Sequence, residues 1–272
     1  MLSKGTTTRA TLFPGSGGKV KTSVNGDTEY DARTTRRAAY LTLGEKAPSF
    51  GELLLEQHVD APIGGGFGSS AAAAVSAVYA TSDVLGMRAS KAELALLAHR
   101  AEILEETGLG TVSVIYDKTG AGAIAKAGVP GEEAFTRVRV PKDLVIVTAF
   151  LGPYDKKWAF SSKSVRDRIC RLGDDALAAF LSDPSLETLA DEGEGFSRSV
   201  GLESPEVKRL EAAAKRAGAS YASQNMIGYS VHAVARLDTA ERVARALGES
   251  GARVDTFRVG PKKAGVTGPS RR

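Results

Sequence analysis

The sequence contains little cysteine and no long apolar run, and both shortages restrict what the protein can be. Cys170 is the one cysteine among 272 residues, so no disulfide can form within the chain. Such a composition is typical of a reducing cytosol, and we expect a cytoplasmic protein in which Cys170 is a small buried residue. No apolar stretch approaches the roughly 20 residues of a membrane span, and the first residues do not resemble a signal peptide. We therefore predict no membrane partner.

The chain also lacks a strong excess of either charge. Its formal net charge is +4, and its basic residues are scattered except for Lys262, Lys263, Arg271 and Arg272 near the C-terminus. That cluster has no interleaved aromatic residues and no known nucleic-acid motif, so we expect a solvated tail and no nucleic-acid partner. A mildly basic surface suits small anionic ligands.

Strand patterns dominate the first half of the chain and helix patterns the second. Up to residue 152 we predict helices at 34–43 and 69–85, and a further helix that begins with the capping box at Ser90. Predicted strands over the same part are a hairpin of 6–13 with 20–24, then 53–59, 112–116, 121–125, 135–140 and 144–150.

After residue 152 the predicted helices are 164–172, 174–181, 185–198, 205–217 and 238–247, the last opened by a second capping box at Asp238. The predicted strands are 219–223, 229–235 and 254–259. This pattern indicates an α+β fold of two subdomains. We place them at 1–152 and 153–264, with a flexible tail at 265–272.

The most informative segment is Pro62–Ala71, where four glycines and two serines precede an alanine-rich helix pattern. Glycines allow the backbone to turn sharply and approach a ligand, and a helix start adds unpaired N–H groups and a positive dipole end. Together these features form an anion site, most often for phosphate. The alternative is a plain Gly-rich turn in which a serine caps a buried helix.

Two common phosphate-binding motifs are excluded at this segment. A Walker A loop requires lysine where Ser69 stands. The dinucleotide pattern started at Gly64 requires glycine at that same position. Ser69 and Ser70 instead offer hydroxyls that can bond phosphate oxygens or ligate Mg²⁺.

The segment Pro62–Ala71 resembles the second motif of the GHMP kinases, a superfamily of small-molecule kinases. Further strings resemble its archaeal-type pantoate kinase branch, and they occur in that branch's order at 2–5, 98–102, 107–110, 127–131, 150–153, 162–164 and 226–228. The resemblance implies a ribosomal S5-like N-terminal part and a ferredoxin-like C-terminal part. It also implies phosphorylation of (R)-pantoate by ATP, a step towards coenzyme A.

The resemblance also implies the roles of individual residues. The nucleotide would be bound by Pro62, Gly64, Gly65, Gly66, Phe67, Gly68, Ser69, Ser70 and Ala71. Ser70 and Glu102 would ligate Mg²⁺, which commonly takes one or two carboxylates besides phosphates and water. His99 would be a structural hydrogen-bonder, not a base.

Position 111 departs from the family pattern. In related kinases, an aspartate commonly follows the Gly-Leu-Gly string and acts as, or near, the catalytic base. This chain has Thr111 at that position. Threonine cannot accept a proton at neutral pH, so positioning and Mg²⁺ would carry the step while the γ-phosphate takes the proton. Lys163 is the second catalytic candidate: it or Arg166 would pair with the carboxylate of pantoate.

Two further motifs are altered. The family has a Pro-containing motif after an initial strand, upstream of residue 2, and the chain begins too late to contain it. We favour a gene model that starts too far downstream over the loss of a strand. The third motif is reduced to residues 225–230, and we assign it no chemistry.

Three other functions stay open at this stage. One is a homoserine- or mevalonate-type kinase, and another is an ATP-binding homologue with impaired catalysis. A nucleic-acid binder rests on charge and fold analogy alone. A homodimer is the default expectation for assembly.

Overall fold

The structure is a computed structural model that describes residues 5–49, 51–108, 110–153, 162–226, 228–260 and 264–268. The predicted basic cluster and residues 269–272 of the predicted tail lie outside these ranges.

A three-stranded sheet begins the fold. Its strands are β1 (Thr6–Phe13), β2 (Lys19–Val24) and β3 (Glu52–Val59). The order is β1-β3-β2, with β3 antiparallel to β1 and parallel to β2. The predicted hairpin of β1 and β2 is therefore wrong. The central position belongs to the more apolar strand, whose Leu53 and Leu55 are fully buried.

Two helices, α1 (Arg33–Leu43) and α2 (Ser69–Val84), pack on this sheet, and α3 (Lys91–Leu104) packs on these two helices. Their small and aliphatic side chains form one core with β3. The predicted capping box of α3 is present, because Ser90 Oγ accepts from Glu93 N at 3.2 Å while the Glu93 carboxylate accepts from Ser90 N at 2.7 Å. Such a cap satisfies two backbone donors at the helix start.

The segment predicted as a strand at 112–116 is helical. It forms the short helix α4 (Val112–Ile115), with Val112 and Tyr116 buried in the first core. The valine and isoleucine there favoured a strand, and packing against α2 and α3 overrides that weak preference. After α4, β4 (Ala121–Lys126) pairs with β5 (Ala134–Val138) in an antiparallel ribbon.

The second half of the chain contains a four-stranded antiparallel sheet. Its strands are β6 (Leu144–Gly152), β7 (Tyr221–Gln224), β8 (Tyr229–Arg236) and β9 (Arg253–Arg258), in the order β7-β8-β6-β9. The helices are α5 (Lys163–Ser182), α6 (Leu186–Val200), α7 (Pro205–Arg216) and α8 (Ala240–Gly248). Small and aliphatic side chains of α7 and α8 pack on one sheet face and form a second core.

Two helix predictions in this half are wrong in detail. The helices predicted at 164–172 and 174–181 are one helix, α5, which continues through Gly173. The capping box predicted at Asp238 does not form, because Thr239 at the N-cap of α8 has a helical backbone and makes no side-chain cap hydrogen bond.

The predicted α+β fold is confirmed, but the predicted domain boundary needs correction. We had assigned β6 to residues 1–152, whereas β6 pairs with β8 and β9 in the middle of the second sheet. A boundary inside that hydrogen-bonded sheet would divide one cooperative unit. We propose instead that the boundary lies between β5 and β6.

The structure also bears on the predictions about Cys170 and about membrane spans. Cys170 is exposed on α5, so its predicted burial is wrong. Among the residues that the structure describes, no helix has the length and apolar character needed to cross a bilayer.

A buried carboxyl group on α7 makes stability depend on pH. Glu211 is 9% exposed, and one of its oxygens has no hydrogen-bond partner among the described residues. Burial, with the nearby charges of Glu203 and Glu194, raises the pKa of Glu211 from 4.5 to about 7. The fold therefore favours the neutral acid, and this contribution to stability is lost as pH rises from about 4.5 through about 7.

We predict that Glu211→Gln raises the free energy of unfolding relative to wild type at pH 8 and brings little or no gain at pH 5, because glutamine removes only the buried charge. Urea unfolding at the two pH values measures the difference. Glu249→Gln, at an exposed position after α8, should show no such pH dependence. An equal effect of Glu211→Gln at both pH values would contradict the account.

Candidate active site

The Gly-rich segment forms a compact loop that leads directly into α2. Gly64, Gly66 and Gly68 have φ values of 80, 77 and 72°, a region that glycine alone adopts readily. Gly68 is the N-cap of α2, and no side chain caps this helix start. The predicted start of the helix at Ser69 is confirmed. The loop therefore turns through three left-handed residues and ends at an uncapped helix N-terminus.

The outer side of this loop offers free backbone donors. Residues 63–66 form a hydrogen-bonded turn, whereas the N–H groups of Gly64 and of residues 68–71 donate to no other group in the described part of the chain. Gly64 and residues 66–70 are partly exposed to solvent, whereas Pro62, Gly65 and Ala71 are buried. Free N–H groups beside the positive end of a helix dipole form an anion site.

The inner side of the loop rests on the turn between β7 and β8. The Gly65 carbonyl accepts hydrogen bonds from Ser230 Oγ and, at 3.4 Å, from Asn225 Nδ2. In a trans peptide the carbonyl and the following N–H point in opposite directions. Anchoring the Gly65 carbonyl inward therefore directs the Gly66 N–H outward.

Gly228 completes this support, which the sequence analysis missed. A Cβ on Gly228 would lie 2.5 Å from the Gly65 carbonyl carbon and 3.0 Å from Gly66 N, so only glycine fits. We had assigned residues 225–230 no chemistry, since the segment is equally typical of a β-turn. The glycine between two predicted strands was the available signal for a close backbone approach.

The structure brings the two predicted metal ligands together. Ser70 Oγ, in the first turn of α2, donates to Glu102 Oε1 on α3 at 2.7 Å. Glu102 is 2% exposed, and a Cβ on Gly108 would lie 2.0 Å from its Oε2, so the turn after α3 closes over the carboxylate.

A magnesium ion is compatible with this pair. Mg²⁺ prefers oxygen ligands and commonly takes one or two carboxylates, with phosphates and water completing its shell. One buried carboxylate and one hydroxyl beside free backbone donors match that donor set. The described residues contain no cluster of three or more acidic, histidine or cysteine side chains that would hold a metal without a phosphate ligand.

The predicted catalytic residues differ in position. Thr111 lies beside the loop: a Cβ on Gly68 would be 3.0 Å from Thr111 Cγ2, so its methyl group faces the loop. Lys163 is at the start of α5, where its 85% exposed side chain pairs with Asp167 at 3.2 Å. No described contact joins Lys163 to the loop.

His99 Nδ1 is buried without a hydrogen-bond partner among the described residues, so the structure does not provide the hydrogen bond we expected there.

Comparison with known proteins shows which proteins this loop and fold resemble. Residues 34–116, from α1 through α4, match the model of the GHMP kinases N terminal domain. The fold is similar to that of an L. major mevalonate kinase in complex with R-mevalonate, with a TM-score of 0.69 and 18% identity over 97% of this chain and 89% of that chain. The chain is therefore similar to the GHMP kinases, and the match to the family model covers residues 34–116.

The chain is also similar to a pantoate kinase and to a solved phosphotransferase. It is 28% identical to the pantoate kinase of Methanospirillum hungatei over 215 residues, 76% of this chain and 70% of that protein. It is also similar to a solved phosphotransferase related to the CoA biosynthesis pathway. That comparison gives a TM-score of 0.83 and 25% identity over 96% of this chain and 86% of that chain.

We predict that Gly228→Ala lowers stability by about 1–3 kcal/mol and weakens ATP binding, because the added methyl group would press on the Gly65 backbone. Thermal unfolding and calorimetric ATP titration measure both effects.

The matched control is Gly195→Ala on α6, where a Cβ would meet no atom within 4 Å. It should stabilise the helix by up to about 1 kcal/mol and leave ATP binding unchanged. Wild-type stability and ATP affinity in Gly228→Ala would contradict the support that we assign to this turn.

Proposed function

We propose that the protein transfers the γ-phosphate of ATP to (R)-pantoate, giving 4-phosphopantoate. The observation that carries this proposal is the contact between Ser70 and Glu102 beside the free N–H groups of the loop. Similarity to the GHMP kinases supports phosphoryl transfer, and the similarity to the Methanospirillum hungatei pantoate kinase supports the acceptor.

Phosphoryl transfer requires mainly positioning and neutralisation of charge from the protein. In our proposal, the backbone N–H groups between Gly65 and Ser70 bind the β- and γ-phosphate oxygens. Ser70 and Glu102 would hold Mg²⁺, which supplies positive charge to the phosphates when bound. The Gly65 carbonyl, held from behind by Ser230 and Asn225, keeps the loop in place and limits its reorganisation during the reaction.

No protein base is needed in this proposal. The acceptor oxygen bonds to the γ-phosphorus while the bond between that phosphorus and the β–γ bridging oxygen breaks, and the hydroxyl proton passes to the transferred phosphate. Thr111 has its methyl group towards Gly68 and would only shape the pocket. Lys163, exposed and paired with Asp167, is retained as a candidate partner for the pantoate carboxylate.

Two other functions remain in view. The fold likeness to mevalonate kinase and the threonine at position 111 keep open another acceptor alcohol, or ATP binding without catalysis. We retain a cytoplasmic location and a homodimer as proposals.

A coupled ADP-release assay with pantoate, homoserine and mevalonate separates these functions. We expect Mg²⁺-dependent turnover with pantoate at least about tenfold more efficient than with either other alcohol, a discrimination of about 1.4 kcal/mol. Preference for homoserine or mevalonate would overturn the acceptor assignment. ATP binding without turnover on any of the three would favour the non-catalytic alternative.

We predict that Glu102→Gln raises the Mg²⁺ concentration needed for half-maximal ATP binding by at least about tenfold, because the amide loses the charge that attracts the ion. Calorimetric ATP titrations at several Mg²⁺ concentrations measure this change. Glu106→Gln is the control, since Glu106 is exposed just beyond α3 and should bind as wild type does. Equal Mg²⁺ dependence in all three proteins would exclude Glu102 as a ligand.

A further inference from the structure

A cavity of about 360 Å³ lies behind the phosphate loop, between α6 and the second sheet. Side chains alternate between the two faces of a strand, and Val231, Ala233 and Ala235 of β8 face α7 and α8. His232 and Val234 consequently face the other side, where they line the cavity. Gly66 also lines it, so the cavity reaches the Gly-rich loop.

A chain of hydrogen bonds connects this cavity to the loop. Asn225 Nδ2 donates to Ser230 Oγ at 2.9 Å and to the Gly65 carbonyl at 3.4 Å. Asn225 Oδ1 is therefore the acceptor that lies 2.8 Å from His232 Nδ1, and this ring nitrogen carries the hydrogen. One asparagine thus holds both the phosphate loop and the cavity histidine.

The other ring nitrogen of His232 is left as an acceptor. Because Nδ1 carries the hydrogen, Nε2 of the neutral ring has a lone pair. Within the described part of the chain, no group donates a hydrogen bond to it. Burial lowers the pKa of His232, and the charge of Glu194 opposes this only partly. The ring is consequently neutral near pH 7.

The remaining cavity wall combines apolar, uncharged polar and acidic side chains. Leu189, Phe196 and Val234 provide apolar surface. Glu194 also lines the cavity, and its carboxylate accepts from Ala222 N at 2.7 Å and pairs with Lys215 Nζ at 2.5 Å. The described lining contains no lysine or arginine. A ligand carboxylate or phosphate would therefore lose its hydration without gaining a cation, which is unfavourable.

We propose that this cavity is a second ligand site, separate from the nucleotide site, for a small uncharged alcohol with a compact apolar body. The hydroxyl donates to His232 Nε2, and the apolar body contacts Leu189, Phe196 and Val234. The site goes beyond the proposed kinase reaction and does not depend on it. A cavity of this volume falls within the range of small-molecule pockets.

A ligand bound in the cavity should also affect the phosphate loop through this chain of hydrogen bonds. A hydroxyl bound to His232 Nε2 polarises the ring and strengthens its bond to Asn225, since hydrogen bonds in a chain reinforce one another. Asn225 in turn holds the Gly65 carbonyl. A ligand in the cavity should therefore alter the backbone signals of the loop without contacting phosphate.

Three probes that each contain a benzene ring test which chemical group the cavity prefers: benzyl alcohol, toluene and benzoate. Only the first donates through a hydroxyl, the second is purely apolar, and the third is an anion. Each is titrated into ¹⁵N-labelled full-length protein without nucleotide, and the imidazole nitrogens of His232 and the amides of Gly65 and Gly66 are followed by NMR. We expect benzyl alcohol to shift both sets of signals, toluene to leave His232 Nε2 unshifted, and benzoate not to bind.

A matched pair of variants on α6 tests the location. A Cβ on Gly193, which lines the cavity, or on Gly195, which does not, would meet no atom within 4 Å. Gly193→Leu fills the cavity and should weaken benzyl alcohol binding by at least about tenfold. Gly195→Leu makes the same chemical change outside it and should bind as wild type does. Thermal unfolding checks that both variants fold.

Three results would overturn the proposal. One is that saturating benzyl alcohol leaves the His232 nitrogens unshifted. Another is that benzoate binds as tightly as benzyl alcohol, since this would contradict the charge argument. The last is equal binding to the Gly193→Leu and Gly195→Leu variants. None of these results depends on whether the protein phosphorylates pantoate, which the ADP-release assay decides separately.

Discussion

The orientation of one carbonyl group underlies the arrangement of the site. Ser230 and Asn225 hold the Gly65 carbonyl against the turn between β7 and β8, and Gly228 permits the contact because it has no side chain. Since a trans peptide sends its N–H the other way, this anchor directs the N–H of Gly66 outward. The loop comes from the first half of the chain and its anchor from the second. The phosphate site therefore depends on the packing of the two halves.

Packing also positions the two proposed metal ligands, Ser70 and Glu102. Glu102 is a buried carboxylate on α3, and Ser70 belongs to the first turn of α2. A buried carboxylate is costly unless charge or hydrogen bonds compensate it. The hydroxyl of Ser70 supplies one such bond, and Gly108 lets the following turn close over the group. Helix packing in the first core thus places both proposed ligands beside the loop.

Local patterns predicted most of the helices and strands and the loop, but they did not predict which distant strands pair. The loop glycines, the start of α2 and the capping box of α3 follow from short-range rules. The insertion of β3 between β1 and β2 depends on contacts that are distant in sequence, and so does the place of β6 in the second sheet. Val112–Ile115 became a helix because neighbouring helices offered a buried surface. The role of Gly228 required knowing which backbone lies opposite it.

The most direct test of this account is a titration of ¹⁵N-labelled protein with Mg²⁺ and a non-hydrolysable ATP analogue. Backbone amides report where the phosphates bind. We predict that the largest shifts fall on Gly66, Gly68, Ser69 and Ser70, because their N–H groups would receive the phosphate oxygens. Saturable binding of the analogue with these four amides unshifted would place the nucleotide elsewhere, and no binding at all would contradict the kinase assignment itself.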